Sequence, residues 1–186
     1  MTPLLTTGIA FSLLLAGQLP AVTLPELETE AKLTPKRFAK YFTEFEYEYH
    51  RELQSPAVFL RTRKGDCDDY AVLADRVLRP KGYGTRLISI RMPGVVAHAV
   101  CYVGEEKGYL DYNNRIYFFQ IQRAGASLRE IASKVASSLD ANWTSACEFT
   151  YRGDGLKQLV SIVTKTDPPA GPVPGKYLRK QIKIDF

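Results

Sequence analysis

Gly65-Asp66-Cys67-Asp68-Asp69-Tyr70-Ala71-Val72-Leu73-Ala74-Asp75-Arg76-Val77-Leu78 joins a polar turn to an amphipathic run. Asp66 carries the short acceptor side chain of a helix N-cap. Asp68 and Asp69 put carboxylates in the first turn, where backbone N–H groups lack partners and the helix dipole is positive. Cys67, Tyr70, Ala71, Ala74, Val77 and Leu78 recur at spacings of three and four, which draws one apolar stripe along a helix over residues 67–78. The cysteine therefore begins the buried face. Pro80 and the Gly82-Tyr83-Gly84 turn end the helix.

Downstream, residues 85–92 alternate as a strand, and Pro93-Gly94 turns the chain into a second strand over 95–103. Both faces of that second strand are apolar, so it is expected to be covered on both sides. A hairpin over 104–108 leads into 109–113, and 116–121 reads as a further strand. Ser127 with Glu130 has the spacing of a capping box and opens a helix ending near Ala141. Residues 143–151 and 156–164 form a hairpin around Gly153-Asp154-Gly155. Upstream, 24–33 reads as an acidic linker. Thr34-Pro35 then opens a helix to about residue 53, with Phe38, Tyr41, Phe42, Phe45 and Tyr49 as its core stripe and His50 structural or solvated. Ser55-Pro56 starts a short helix ending near Arg63. Helices followed by an antiparallel run of strands make an α+β domain.

With 186 residues, 45% hydrophobic and 24% charged, the chain has enough apolar material for one domain. A net charge of +5 is a solvated basic surface, and no arginine-rich helix, zinc-finger spacing or RNA-binding motif accompanies it, so no nucleic-acid partner is expected. The first charged side chain is Glu26, and GIAFSLLLA over 8–16 is an apolar run too short to span a bilayer comfortably. Residues 1–23 are read as a signal peptide or N-terminal anchor, which implies a periplasmic or secreted protein without a further membrane span. Residues 24–166 are read as the domain, and 167–186 as a Pro/Gly linker with a basic tail. Cys67, Cys101 and Cys147 are too few for a disulfide scaffold; Cys101 and Cys147 either pair or sit as small buried hydrophobes, and the second reading is preferred.

A thiol is a nucleophile only as the thiolate, which the N-terminus of a helix and a nearby imidazolium both favour. Cys67 is placed for the first, while Asp68 and Asp69 work against it, so a histidine partner is needed. Of the two histidines only His98 lies on a predicted core strand. A two-residue turn at Gly104-Glu105 would make paired residues sum to 209, setting His98 opposite Asp111 because 98 + 111 = 209. A four-residue loop over 104–107 gives a sum of 211, with Asp111 opposite Val100 and diagonal to His98 on the same face. Any even sum would turn Asp111 away and promote Asn114.

GDCDDYA at 65–71, Ala97-His98-Ala99-Val100 and Leu110-Asp111 resemble the bacterial transglutaminase-like cysteine proteinases and the wider transglutaminase-like superfamily. The resemblance covers residues 55–114, about a third of the chain. It implies a papain-like α+β fold with the cysteine at a helix start and the other two residues on neighbouring strands. It also implies a catalytic triad of Cys67, His98 and Asp111 that cleaves an amide or peptide bond of a protein or peptide substrate through an acyl-enzyme, without a cofactor. Amide transfer to an amine, and a non-catalytic binding domain that keeps the fold, are the alternatives. Zinc is disfavoured because no C-x-x-C or H-x-x-x-H pair supplies its ligands. The Cys67 backbone N–H is the expected oxyanion donor, and the sequence names no second one.

Overall fold

A computed structural model describes residues 22–94, 97–116, 121–152 and 156–166. The expected leader up to residue 21 and the basic tail lie outside these residues, as do most of the 116–121 strand and the Gly153-Asp154-Gly155 turn. Six antiparallel strands form the central sheet: β3 (Thr85–Arg91), β4 (His98–Val103), β5 (Gly108–Leu110), β6 (Gln122–Arg123), β7 (Ser145–Tyr151) and β8 (Lys157–Thr164), in the order β6-β5-β4-β3-β7-β8. One face carries helices α1 (Leu24–Thr29), α2 (Pro35–Lys40), α3 (Pro56–Thr62) and α4 (Cys67–Leu78), whose core reaches Leu87, Ala99, Cys101, Val103 and Phe149 of the sheet. The other face carries α5 (Leu128–Ser138), packed on Ile88, Ile90, Val100 and Ala146. The domain is α+β, and β4 is buried along its whole length because helices cover both of its faces. Among the described residues no helix is long and apolar enough to cross a membrane.

The helix at 67–78 forms with the predicted bounds, and Leu73, Ala74, Val77 and Leu78 are buried along its inward stripe. Burying a side chain such as Leu73 or Leu78 contributes about 1.5–3 kcal/mol, which docks the helix firmly on the sheet. Ser127 caps α5 by accepting from the Glu130 N–H at 3.3 Å, but the Glu130 carboxylate bonds the Gly125 N–H at 2.8 Å instead of closing the box. Helix α5 ends at Ser138, a turn before Ala141.

Two upstream readings are corrected. Residues 24–29 are helical rather than a linker, because Thr23 and Glu26 form a true capping box: the Thr23 N–H donates to the Glu26 carboxylate at 2.7 Å. The long helix to residue 53 stops at Lys40, and a two-residue strand β1 (Glu46–Tyr47) runs parallel to β2 (Lys64–Gly65). Phe38, Phe42 and Phe45 are still buried, in an aromatic cluster with Phe59, Tyr70 and Tyr112 whose ring centroids lie 4.7–5.9 Å apart. From Phe45 onward, however, aromatics and glutamates alternate with period two, and the backbone follows that period. The N–H groups of Glu46 and Glu48 donate to the Arg63 and Gly65 carbonyls at 2.9 and 2.8 Å. Buried Arg115 locks the same segment, donating to the Phe45 carbonyl and, at 2.7 Å, to that of Tyr112, with its guanidinium 3.7 Å from the Tyr112 ring centre.

Gly65 is where β1 and α3 meet the entry to α4. A Cβ there would stand 2.6 Å from two Phe59 ring carbons and 2.7 Å from Asp69 Oδ2. Gly65→Ala is therefore expected to destabilise by about 1–3 kcal/mol, seen as a fall in Tm of about 2–12 °C in a thermal melt. An unchanged Tm would show that this junction yields without cost.

Candidate active site

Cys67 is the first residue of α4 and 9% exposed. The turn that presents it is held from two sides. Asp69 Oδ2 accepts the Asp66 N–H at 3.2 Å, and the Asp69 carboxylate also takes the Gln54 backbone and side-chain N–H groups at 2.7 and 2.8 Å. Asp66 Oδ2 accepts the His50 N–H at 3.0 Å. Aspartates at 66 and 69 thus fix the approach of the chain to Cys67, which is why the GDCDD run needs them whatever the thiol does.

His98 opens β4 and Asp111 directly follows β5, so both lie at one end of an antiparallel pair. Cys101 pairs with Leu110, Tyr102 with Tyr109 and Val103 with Gly108, each pair summing to 211: the four-residue loop is the one that forms, with Lys107 in the left-handed region at φ 48°. The odd sum leaves His98 and Asp111 on one face, and their side chains meet, with His98 Nε2 2.9 Å from Asp111 Oδ1. Both residues are 5% exposed. Asp111, expected inside a strand over 109–113, instead lies just past β5 and caps a short 3-10 turn, accepting the Asn113 N–H at 2.9 Å and the Asn114 side-chain amide at 3.3 Å. Asn114, the even-register alternative, therefore supports the carboxylate instead of replacing it.

Because a carboxylate accepts, Nε2 carries the proton of this bond and Nδ1 is left to face elsewhere. Burial opposes the charged imidazole, yet the Asp111 charge and hydrogen bond, followed by hydrogen bonding and charge from Cys67, carry the His98 pKa up to about 10. The imidazolium is thus the stable form at neutral pH. Cys67 and His98 both line a cavity of about 310 Å³. All three cysteines are free and buried. Burial raises the thiol pKa of both Cys101 and Cys147, which fits them as small core hydrophobes rather than a disulfide.

Several cavity residues escaped the sequence reading. His50 lines it from the strap after β1, not from a helix. Tyr47 lines it while 54% exposed; burial and then the charges of Cys67 and Asp66 raise its pKa. Lys157 reaches it from β8, with its ammonium 3.8 Å from the Phe149 ring centre and its pKa brought down to about 8 by burial. Asp68 beside it is pushed up to about 8, chiefly by burial and then by the hydrogen bond and charge of Asp66. Asp66, Asp68 and Asp69 bring carboxylate oxygens within 4.8 Å of one another, an all-oxygen set that suits a hard cation and not zinc. Only Asp68 and its neighbours carried a local signal; Lys157 comes from a strand 90 residues away by sequence (157 − 67 = 90), which no motif spans.

Residues 23–112 match the family model described as the transglutaminase-like superfamily, a span that contains Cys67, His98 and Asp111 and begins well upstream of the resemblance read from sequence. Among the solved structures similar to this chain are two of LapG from Legionella pneumophila. The calcium-bound form is 18% identical, covers 83% of this chain and 81% of its own, and has a TM-score of 0.46. The EGTA-treated form is 17% identical, covers 73% and 76%, and has a TM-score of 0.44. No curated protein matches at a significant level. Over residues 23–112, nearly half of its length, this chain is similar to the transglutaminase-like superfamily.

Proposed function

We propose that the protein is a thiol-dependent hydrolase of amide or peptide bonds, with Cys67, His98 and Asp111 as its catalytic triad. The observation that carries this reading is the buried 2.9 Å pair of His98 and Asp111 beside a cavity shared with a cysteine at a helix N-terminus. Cys67 attacks the carbonyl carbon as thiolate. A C–S bond forms, the carbonyl π pair moves onto oxygen, and collapse of the tetrahedral intermediate breaks the C–N bond as His98 protonates the leaving amine. Water then adds to the acyl-enzyme, giving up a proton to His98, and collapse breaks the C–S bond to release the acid and restore the Cys67 thiolate beside the His98 imidazolium. Asp111 holds Nε2–H and so aims Nδ1 at the sulfur. The cavity beside Cys67 and His98 is lined by Tyr47, Tyr49, Asp66, Asp68 and Lys157, and the substrate proposed for it is a peptide or protein. A periplasmic or secreted location would suit such a hydrolase and rests on the leader read from sequence alone.

The test is reactivity. At pH 7, iodoacetamide is expected to alkylate Cys67 at least about tenfold faster than Cys101 or Cys147, read by mass spectrometry of the digested protein. Equal, slow labelling of all three would support a non-catalytic domain. A glutamine-containing peptide incubated with a labelled amine separates the two chemistries of the triad, because incorporation of label would replace hydrolysis by amide transfer.

A further inference from the structure

An acyl-transfer site needs a second hydrogen-bond donor for the oxyanion, beside the N–H of the nucleophile itself. An element that runs along the entry to α4, where the first helical N–H groups lack partners, is placed to supply it. The strap 46–50 is that element. Tyr47 pairs with Gly65, two residues before the nucleophile; the Glu48 N–H donates to the Gly65 carbonyl at 2.8 Å, and the His50 N–H to Asp66 at 3.0 Å. The strap is also tied to the histidine side of the site, since the Tyr112 hydroxyl, one residue after Asp111, donates to the Glu46 carbonyl at 2.9 Å. The Tyr47 ring packs against that of Tyr112, with centroids 6.4 Å apart, and lines the same cavity as Cys67 and His98.

We propose that the Tyr47 hydroxyl is the second oxyanion donor of this site, a catalytic role that rests on the thiol-hydrolase reading above. A phenol is a neutral O–H donor, so it stabilises an oxyanion without competing with His98 for the thiolate's charge. The upward pKa shift noted for Tyr47 keeps that proton in place through the neutral range. As the thiolate adds to the carbonyl carbon, the electron pair moved onto oxygen is met by the Cys67 N–H and the Tyr47 O–H. When the carbonyl re-forms, both hydrogen bonds relax and no proton has been transferred to or from either donor.

Two reagents separate this role from thiol activation. p-Nitrophenyl acetate acylates a thiolate through a tetrahedral oxyanion and releases p-nitrophenolate. Iodoacetamide alkylates the same thiolate by displacement of iodide, without an oxyanion. Tyr47→Phe keeps the half-exposed ring and its packing and removes only the hydroxyl. The variant is expected to slow the nitrophenolate burst about 10- to 1000-fold while the rate of iodoacetamide alkylation at Cys67 stays within about twofold of the parent. An unchanged burst, or an equal fall in both rates, would overturn the assignment and leave the triad standing. A Cys67→Ala protein that still gives the full burst would instead remove the triad, and Tyr47's role with it.

Discussion

Cys67→Ala and His98→Ala are each expected to lower hydrolytic turnover by about 10⁴-fold or more, yet to differ in what they do to the fold. Cys67 contributes little to the core beyond its small volume, and alanine keeps the stripe of α4 apolar, so its Tm should stay within about 2–4 °C of the parent. His98 is the partner of a buried carboxylate. Its removal takes the cationic partner from the buried Asp111 charge, which keeps the Asn113 N–H and the Asn114 amide; breaking a buried pair in this way costs about 3–5 kcal/mol, so His98→Ala should both inactivate and visibly destabilise. Thermal melts beside turnover measurements check both statements. A fully active His98→Ala protein would show that the ion pair is a device of the core and that the thiol is not driven by it.

The parts of the fold that were legible in sequence are those decided within one helix or one hairpin. The start of α4, its stripe and its termination follow from local spacing and capping, and the odd parity of the β4–β5 pairing follows from loop length alone. The region 41–50 was not legible because its aromatics satisfy two periods at once. Phe38, Tyr41, Phe42 and Phe45 suit a helix, whereas Phe45, Tyr47 and Tyr49 suit a strand, and only pairing with Lys64–Gly65, supplied from another part of the chain, decides between them. The same nonlocality hid the cavity. His98 and Asp111 announced themselves through an antiparallel register that can be counted, whereas Tyr47 and Lys157 arrive through a parallel strap and an edge strand whose positions no local count yields. The acidic run shows the reverse limit: its residues were plain in sequence as helix-start carboxylates, but burial next to Asp66 is what raises Asp68, and burial is a property of the assembled domain.

Asp111→Asn separates orientation from charge at the base of the proposed triad. The asparagine oxygen is able to keep accepting from His98 Nε2 or from the Asn113 N–H, so the turn after β5 and the aim of the ring are retained in part. What is lost is the negative charge, the first of the influences that raise His98 against the penalty of burial. The histidine pKa is then expected to fall well below its present value near 10, so that near pH 7 the ring is neutral and the imidazolium no longer supports the thiolate. Turnover is expected to drop about 10²- to 10⁴-fold, leaving weak activity rather than none. The same charge sets a stability signature. A histidine raised from 6.5 to about 10 on folding stabilises the native state fully below pH 6.5 and loses that contribution as pH climbs through 10. The Tm gap between the parent and Asp111→Asn should therefore be wide at pH 6.5 and close steadily toward pH 10, which a series of melts across that range reads directly. A gap that stayed constant would mean that Asp111 holds the ring by geometry alone, and that the imidazolium at the centre of the proposed mechanism owes nothing to it.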